Sequence, residues 1–449
     1  MTASRHVISG LLLLMIVTGC TNAQSTSPEF QIQSGKELKL LVTSDTHYLA
    51  KSLNDGGPAF QKFSSGGDSK QRSYSDELMS ALELDVSLQK PDITIISGDL
   101  TNNGEKQSHL DMADHLKDIE KNSGTRVYVI PGNHDISNPW ARRFKGERQY
   151  ITDTVTPKDF KKIYSAFGYA EALSRDSQSL SYLAAPSEEL WLLMLDTSQY
   201  SYNGELGHPQ LDGRLYPETL RWIDECGERA RQNGAELVAV MHHNLTDHSE
   251  LIQEGFTINN SQAVADVLMR NGVHTVFSGH IHIQDIAYVQ KETGRIYDIA
   301  SSALSVFPHQ FGILNYSKFN HTMDYSTARL NVEQWAKTSG NKDPHLLNFN
   351  AYSEETFGEA SFERSYQHLS EDMSYSGYSE EQLQAMAEVV MRLNENYFAG
   401  SENTDNAAVL ASEGYRLWKD SPASGLKSYV ERMAERGNKN NRHLHVELP

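Results

Sequence analysis

The sequence predicts a layered α/β fold, and two observations support this prediction. Short apolar runs recur between residue 38 and residue 278. Near-continuous apolar runs of this length suit strands that are buried on both faces of a sheet. Amphipathic helical stretches separate several of these runs, and such alternation is typical of sheets covered by helices.

The predicted elements follow one another in the order that such a fold needs. The β-rich apolar runs lie at 38–43, 93–97, 127–130, 190–195, 237–241 and 273–278. The helical stretches between them lie at 75–89, 105–121, 217–233 and 261–271. Two later runs have the composition of strands and are predicted to close the sheets, at 295–301 and 328–335.

The chain changes character after about residue 350. The segment SEEQ (379–382) is a capping-box signature and predicts the start of a helix. That helix would carry one apolar stripe, formed by Leu383, Met386, Val390, Leu393 and Tyr397. Residues 406–419 and 425–436 also have helical patterns. We expect a helical region that packs on the α/β domain; a separate functional module is the alternative.

The N-terminus has the pattern of an export signal. A short, weakly basic start precedes an apolar run that is too short for a permanent membrane span. The sequence VTGC, which ends at Cys20, resembles the bacterial lipobox and predicts lipid attachment at that cysteine. A plain signal peptide and a buried N-terminal helix are the alternatives. The expected division is a signal peptide over 1–19, a polar tether over 20–36, an α/β domain over 37–350 and a helical region over 351–449.

The composition is that of a folded, acidic protein. Its 449 residues are 38% hydrophobic and 22% charged, which argues against global disorder. The formal net charge is −19, and we find no dense cluster of lysine and arginine, so nucleic acid is not expected as a partner. Apart from Cys20, the only cysteine is Cys226. We therefore expect no intramolecular disulfide, with Cys226 packed as a small apolar residue.

Polar residues follow the carboxyl ends of several predicted strands. These segments are SDTH (44–47), GDLTNNG (98–104), PGNHD (131–135), HHN (242–244) and GHIH (279–282). In α/β sheets, ligands bind beyond the carboxyl ends of the strands, so the segments should converge on one crevice. Glycine in these segments lets the backbone turn sharply where side chains crowd together.

The residue types in these segments are those of a metal site. Carboxylate, imidazole and amide ligands suit Mn, Fe, Zn or Mg, and the lack of thiolates argues against a structural zinc. An aspartate between two cations can bridge them with its two oxygens. We therefore expect two divalent ions per chain, with their identity open among these four metals.

The motifs DTH, GDLTNNG, GNHD, HH and GHIH, in this order, resemble those of the calcineurin-like metallophosphoesterase superfamily. The resemblance covers roughly residues 37–335 and is closest to bacterial exported lipoproteins. It implies a four-layer α/β/β/α sandwich of two mixed sheets flanked by helices. It also implies one metal held by Asp45, His47, Asp99 and His282, and a second held by Asp99, Asn133, His242 and His280.

The same resemblance implies the catalytic residues. His134 stands where the family has its catalytic histidine, Asp135 would orient it, and His243 would lie beside the ligands. Two cations about 4 Å apart lower the pKa of a water and hold phosphate oxygens. His134 would supply the leaving group with a proton or a positive neighbour. Asn102 and Asn103 would contact substrate or merely form the turn.

Departures from the family motifs exclude some of its subfamilies. The Ser/Thr protein phosphatases have GDxVDRG where this chain has GDLTNNG, and purple acid phosphatases have a tyrosine at the position of Asn102. With these two subfamilies set aside, the sequence resembles bacterial phosphodiesterases and phosphatases. Residues outside the motifs are expected to be structural, namely His208, His248, His309, the loop cap Asp196 and the surface residues Arg142 and Arg143. For the two arginines, contact with a phosphate is the alternative. The segment 48–74 is either a substrate-side lid or a disordered loop.

The leading function is hydrolysis of small phosphate monoesters or diesters, without a covalent enzyme intermediate. The reaction would take place outside the cytoplasmic membrane, to which the lipid anchor would attach the chain. A nuclease of the same fold is disfavoured by the acidic charge. A surface lipoprotein that binds a partner beside an idle metal site is disfavoured because the full ligand set is present.

Overall fold

The computed structural model describes residues 32–250, 252–292, 294–436 and 439–448. The predicted signal peptide, Cys20 and the tether up to residue 31 lie outside the described residues. The strands are β1 (Leu38–Thr43), β2 (Ile93–Ser97), β3 (Arg126–Ile130), β4 (Arg142–Lys145), β5 (Arg148–Ile151), β6 (Ser174–Arg175), β7 (Tyr182–Ala184), β8 (Leu190–Leu195), β9 (Glu236–Met241), β10 (Thr275–Ser278), β11 (Asp285–Lys291), β12 (Gly294–Ala300), β13 (Gln310–Ser317), β14 (Thr322–Arg329) and β15 (His443–Glu447).

The helices cover the two faces of the α/β domain and then form the C-terminal region. They are α1 (Pro58–Ser64), α2 (Ser75–Gln89), α3 (Lys106–Ser123), α4 (Pro157–Ile163), α5 (Asn203–Leu206), α6 (Pro217–Asn233), α7 (Ser261–Arg270), α8 (Val332–Ser339), α9 (Pro344–Leu347), α10 (Phe349–Glu371), α11 (Glu380–Ala399), α12 (Glu402–Leu410), α13 (Glu413–Asp420) and α14 (Gly425–Glu435). Among the described residues, none of these helices combines the length and apolarity of a membrane span.

Two mixed sheets form the centre of the fold. The first has the strand order β15-β14-β13-β1-β2-β3, and the second has the order β11-β12-β10-β9-β8-β7-β6. β1, β2 and β3 run parallel, as do β8, β9, β10 and β12. The carboxyl ends of the parallel strands therefore lie along one edge of each sheet.

Alternate side chains of β8 face opposite layers, as the two-residue period of a strand requires. Leu192 and Met194 belong to the core that also contains Leu41 of β1, whereas Trp191 packs with Ile223 of α6. On the other side of the molecule, α3 packs on β3 and α2 packs on α3. The predicted four-layer sandwich is confirmed.

The predicted elements of the α/β domain agree closely with the structure, with one exception. The run 328–335 is not a strand, because β14 ends at Arg329 and α8 begins at Val332. Asn331 between them is held by Asp85, which accepts hydrogen bonds from its backbone and its side chain. Val332 and Ala336, one helical turn apart, are then buried. From Val332 onward, the buried residues thus follow a helical period rather than a strand period.

The C-terminal region packs on the α/β domain, as predicted. The apolar stripe of α11 joins a core cluster that contains Ile281 and Ile283, the neighbours of His282. Helices begin at Val332, and the boundary predicted at residue 350 falls inside α10. The helix predicted over 406–419 is interrupted, because Ser412 caps α13 by accepting a hydrogen bond from Tyr415 N.

The end of the chain was not predicted from the sequence. β15 returns to the α/β domain and pairs antiparallel with β14, at the edge of the first sheet. The region after residue 350 is therefore helical except for this last strand. Cys226 is a free, buried cysteine on α6, as predicted.

Candidate metal centre

The predicted ligands follow the strands that the sequence indicated. Asp45 comes after β1, Asp99 after β2, Asn133 after β3 and His242 after β9. His280 and His282 follow β10. The carboxyl ends of these strands meet at one edge of the sandwich, and the structure brings all seven of the predicted side chains together there.

One group of candidate ligands consists of Asp45, His47 and His282, whose donor atoms lie within 4.8 Å of one another. The two Nε2 atoms of the histidines are 3.1 Å apart. Asp45 Oδ1 lies 3.6 Å from His47 Nε2 and 3.3 Å from His282 Nε2. Three donors that converge in this way fit a divalent cation, because imidazole nitrogen and carboxylate oxygen are its usual ligands.

The second group consists of Asp99, His242 and His280, again with donor atoms within 4.8 Å. Asn133 joins it, since its Oδ1 lies 3.1 Å from His242 Nε2. Asp99 Oδ2 lies 3.4 Å from His242 Nε2 and 3.6 Å from His47 Nε2, so this single oxygen faces both groups. We expected the aspartate to bridge with both of its oxygens. Instead, Asp99 Oδ1 accepts a hydrogen bond from His134 N at 2.8 Å.

The hydrogen bonds around the ligands leave donor atoms free for a metal. His242 Nδ1 donates to Ser97 O at 2.9 Å, and His280 Nε2 donates to Gly255 O at 3.1 Å, which fixes the tautomer of each ring. Asp45 Oδ1 is buried and accepts no hydrogen bond from the described residues. A buried carboxylate oxygen without a partner is costly unless a cation binds it. The residues therefore fit divalent metal ions.

The backbone at this centre adopts conformations that non-glycine residues rarely adopt. Positive φ angles occur at Asp45 (53°), His47 (41°), Asp99 (47°), His280 (68°) and His282 (63°). Such conformations cost of order 1–3 kcal/mol each and persist where the surroundings enforce them. Gly279 shows how tight the packing is, because a Cβ there would lie 1.9 Å from Ser44 Oγ and 2.5 Å from Asp45 Oδ2.

His134 lies beside the two groups, and its ring is 5.0 Å from that of His47. Its Nδ1 is 2.9 Å from Asn102 O and 3.0 Å from Asn103 Oδ1. Because a carbonyl oxygen can only accept, Nδ1 carries the proton in this contact and Nε2 is free. Asn102 and Asn103 are thus the groups that orient His134.

Asp135 does not orient His134, contrary to our expectation. Its carboxylate accepts hydrogen bonds from the backbone nitrogens of Leu100, Thr101 and Gly132, at 3.1, 2.9 and 2.8 Å. Asp135 therefore fixes the loop that carries Asp99. The sequence could not show this, because adjacent residues in a turn commonly point in different directions.

Burial sets the charge state of the groups around the centre. It lowers the pKa of His134 to about 4, so the ring is neutral near pH 7. Burial raises the pKa of Asp135 to about 7. For Asp99, burial acts in the same upward direction, but the positive charge of His242 holds its pKa well below the usual range.

A family model described as "Calcineurin-like phosphoesterase" matches residues 38–284, more than half of the chain. The chain belongs to the calcineurin-like phosphoesterase family. It is therefore a metallophosphoesterase, a hydrolase of phosphoric ester bonds. A second model, described as "C-terminal domain of cyclic nucleotide phosphodiesterase", matches residues 331–440 and so covers most of the C-terminal region.

Individual relatives of this calcineurin-like phosphoesterase are distant. The "Probable cyclic nucleotide phosphodiesterase" of Psychrobacter arcticus is 22% identical over 220 residues, which cover 49% of this chain and 66% of that protein. A dimetal phosphatase from Danio rerio has a TM-score of 0.43 at 13% identity, covering 64% of this chain and 95% of that one. GAP50, the anchor in the inner membrane complex of Plasmodium, has a TM-score of 0.36 at 10% identity, and the match covers 66% of this chain and 85% of that one.

A cavity of about 410 Å³ borders the metal centre of this phosphoesterase. Asp99, His134, His280 and His282 contribute to one side. A second part of the wall comes from the C-terminal helices, through Phe357, Arg364, Asn394, Tyr397, Phe398 and Tyr429. This part was not predictable from the sequence, because it arises from the packing of α10, α11 and α14 against the GHIH segment.

The segment 48–74 is ordered and also reaches the cavity. It contains α1, and Gly67, Asp68 and Ser69 line the cavity edge. Lys70 and Arg72, which follow them, are both buried. We missed these two cations in the sequence, although the pattern GGDSKQR placed two basic residues beside glycines in a segment next to DTH.

The remaining candidates contact residues outside the two ligand groups. His243 lies outside both ligand groups, with Nδ1 at 2.8 Å from Thr197 Oγ1 and Nε2 at 3.0 Å from Leu211 O. Asp196 caps its loop by accepting a hydrogen bond from Ser198 N.

The other three histidines and two arginines of this set also contact residues that are not metal ligands. These contacts are His208 with Pro209 O, His248 with Asp285 and Asp298, His309 with Leu304 O and Ser353 Oγ, Arg142 with Pro139 O and Ala141 O, and Arg143 with the ring of Tyr150.

Proposed function

We propose that this protein is a metal-dependent phosphodiesterase for small phosphodiesters, with cyclic nucleotides as the substrate class. The observation that carries the proposal is the position of Asp99 Oδ2 between two ligand groups, beside a cavity of about 410 Å³. A cavity of this size suits a small organic ligand. The substrate class is supported by the match of residues 331–440 and by the Psychrobacter arcticus relative.

We further propose the assignment of the ligands. Asp45, His47, Asp99 and His282 would hold one divalent ion, and Asp99, Asn133, His242 and His280 would hold the second. When bound, the two ions supply positive charge that activates a water and offsets the charge of the phosphate. This local charge is needed because the chain itself carries a net charge of −19.

The residues of the chain perform the remaining tasks. Asn102 and Asn103 hold Nδ1 of His134, so Nε2 is the atom that exchanges a proton with the leaving oxygen. A bound phosphate brings negative charge close to His134 and raises its pKa from the value of about 4 in the free protein. Water adds at phosphorus, the ester P–O bond breaks, and the alcohol leaves with a proton.

The C-terminal wall would receive the organic part of the substrate. Phe357, Tyr397 and Phe398 present aromatic surface to the cavity, and such surface binds flat, apolar groups well. Arg364 on the same wall donates to Gly67 O at 2.6 Å and so ties α10 to the segment 48–74. Two segments that line the cavity are therefore in direct contact.

Hydrolysis assays on the purified chain, lacking residues 1–20, test the proposal. With Mn²⁺ we expect cleavage of cyclic AMP and of bis(p-nitrophenyl) phosphate, and slower cleavage of the monoester p-nitrophenyl phosphate. The Asp99→Asn variant should lose all three activities. Faster turnover of the monoester than of both diesters would contradict the assignment as a phosphodiesterase.

We also propose that the protein is exported and attached to a membrane through a lipid on Cys20. The proposal is supported by the apolar run and the VTGC motif of the sequence. Mass spectrometry of the mature N-terminus should find a lipid-modified cysteine, and Cys20→Ser should abolish the modification. An unmodified N-terminus in the wild-type protein would contradict it.

A further inference from the structure

Lys70 is a buried lysine whose ammonium group has an ion pair but no hydrogen bond among the described residues. It is 8% exposed, which is rare for lysine unless the ammonium group is paired. The nearest carboxylate is that of Asp68, at 3.7 Å from Lys70 Nζ, which is beyond hydrogen-bond distance. Among the described residues, no acceptor forms a hydrogen bond with this ammonium group.

The carboxylate of Asp68 already has another partner. Arg72 donates to both of its oxygens, one of them at 2.7 Å, in the two-pronged geometry of a strong arginine–carboxylate pair. Arg72 therefore takes these hydrogen bonds of Asp68, and Lys70 keeps only a longer ion pair with it, so its N–H donors remain available.

The residues on the C-terminal side of Lys70 fix it to the loops of the metal centre. Gln71 N donates to Ser305 O at 2.8 Å, and Ser305 Oγ donates to Asp45 O at 2.8 Å. Arg72 Nε donates to Asn102 Oδ1 at 2.8 Å, and Asn102 is a partner of His134. Lys70 is thus placed between the loop of Asp45 and the loop that orients His134.

Lys70 lies in a loop that borders the cavity beside the metal centre. Burial lowers the pKa of Lys70, while the carboxylates of Asp68, Asp99 and Asp45 act in the opposite direction. On the N-terminal side, Ser69 lines the cavity with a φ of 59°. Lys70 therefore follows the cavity edge directly in the chain, and the carboxylates of Asp45 and Asp99 act on its ammonium group.

A fixed cation beside the metal ions would assist a phosphodiester reaction. Negative charge on the phosphate oxygens increases in the transition state, and fixed donors in a dry site stabilise it strongly. An ammonium group supplies three donors and a full charge.

We propose that Lys70 is a catalytic residue whose ammonium group binds a non-bridging oxygen of the phosphate and stabilises the transition state. This inference rests on the proposed function, since it assigns a contact within the same site. It predicts that Lys70 contributes both to phosphate affinity and to turnover, without holding the metals.

The experiment compares wild type, Lys70→Gln and Lys70→Arg, with Lys62→Gln as the matched control. Lys62 lies in the same segment, on α1, and is exposed. For each protein we measure the metal content, the thermal unfolding, and kcat and KM for bis(p-nitrophenyl) phosphate. We also measure the Kd of inorganic phosphate for the Mn²⁺-loaded protein. Removing one such donor from an active site lowers kcat by roughly 100-fold or more.

We expect Lys70→Gln to lose about 100-fold in kcat and about 10-fold in phosphate affinity, with metal content and unfolding temperature unchanged. Lys70→Arg should recover part of both losses, and Lys62→Gln should equal wild type. Equal phosphate affinity in Lys70→Gln and wild type would overturn the inference, as would a loss of activity that follows a loss of metal. If wild type hydrolyses no ester, the proposed function fails, while the phosphate affinities still decide the role of Lys70.

Discussion

His248 is a buried histidine that joins the C-terminal region to the loops of the metal centre. Its Nδ1 lies 2.8 Å from Asp285 Oδ2, and its Nε2 lies 3.0 Å from Asp298 Oδ2. Asp285 also accepts a hydrogen bond from Lys439 at 2.8 Å. Asp298 accepts one from Leu245 N at 2.7 Å, in the loop that follows β9. Loss of the charge on His248 should therefore weaken contacts on both sides of it.

The magnitude follows from the pKa of His248. Burial alone would lower it, but the two carboxylates raise it to about 9. An unfolded histidine has a pKa of about 6.5, so the difference corresponds to about 3 kcal/mol of stability. Because the folded pKa is the higher one, this stability is complete below pH 6.5 and is lost as the pH rises through 9.

Urea unfolding at pH 6 and at pH 9.5 measures this contribution. Between these two pH values, the free energy of unfolding of the wild type should fall by about 3 kcal/mol more than that of His248→Gln. His208→Gln is the control, because His208 is exposed and should behave like the wild type. An equal fall in His248→Gln and the wild type would refute the assignment of a buried, charged His248.

Three further predictions concern the metal centre. His134→Ala should keep its metals by elemental analysis and lose 100-fold to 10,000-fold in kcat; unchanged turnover would exclude His134 from the reaction. Gly279→Ala, whose new Cβ would lie 1.9 Å from Ser44 Oγ, should lose metal and about 2 kcal/mol of stability, whereas Gly377→Ala, which meets nothing within 4 Å, should lose neither. Chelation by EDTA should abolish hydrolysis and lower the unfolding temperature, and added Mn²⁺ should restore both; an unfolding temperature insensitive to EDTA would contradict metal binding by the folded chain.

The strands and the ligand positions could be predicted because the signals are local. A near-continuous apolar run predicts a buried strand, and a polar residue directly after it lies at the strand end. Asp45, Asp99 and His280 all follow this pattern, and the structure places them together. The left-handed φ angles at these positions could not be predicted, because residues other than glycine rarely adopt them.

The rest of the site depends on contacts between distant parts of the chain. Asp135 accepts hydrogen bonds from backbone nitrogens. Because every residue type except proline has such a nitrogen, the sequence cannot indicate which residues will donate. Lys70 belongs to the segment 48–74, which is rich in glycine and was predicted to be a lid or a disordered loop. The aromatic wall with Phe357 and Tyr397 forms only when the C-terminal helices pack on Ile281 and Ile283.

A crystal structure of the chain grown with Mn²⁺, with anomalous scattering recorded at the manganese edge, would show directly whether the centre is dinuclear. We expect two manganese peaks about 4 Å apart, on either side of Asp99 Oδ2. A single peak, or peaks remote from this oxygen, would contradict the dinuclear centre on which the proposed hydrolysis depends.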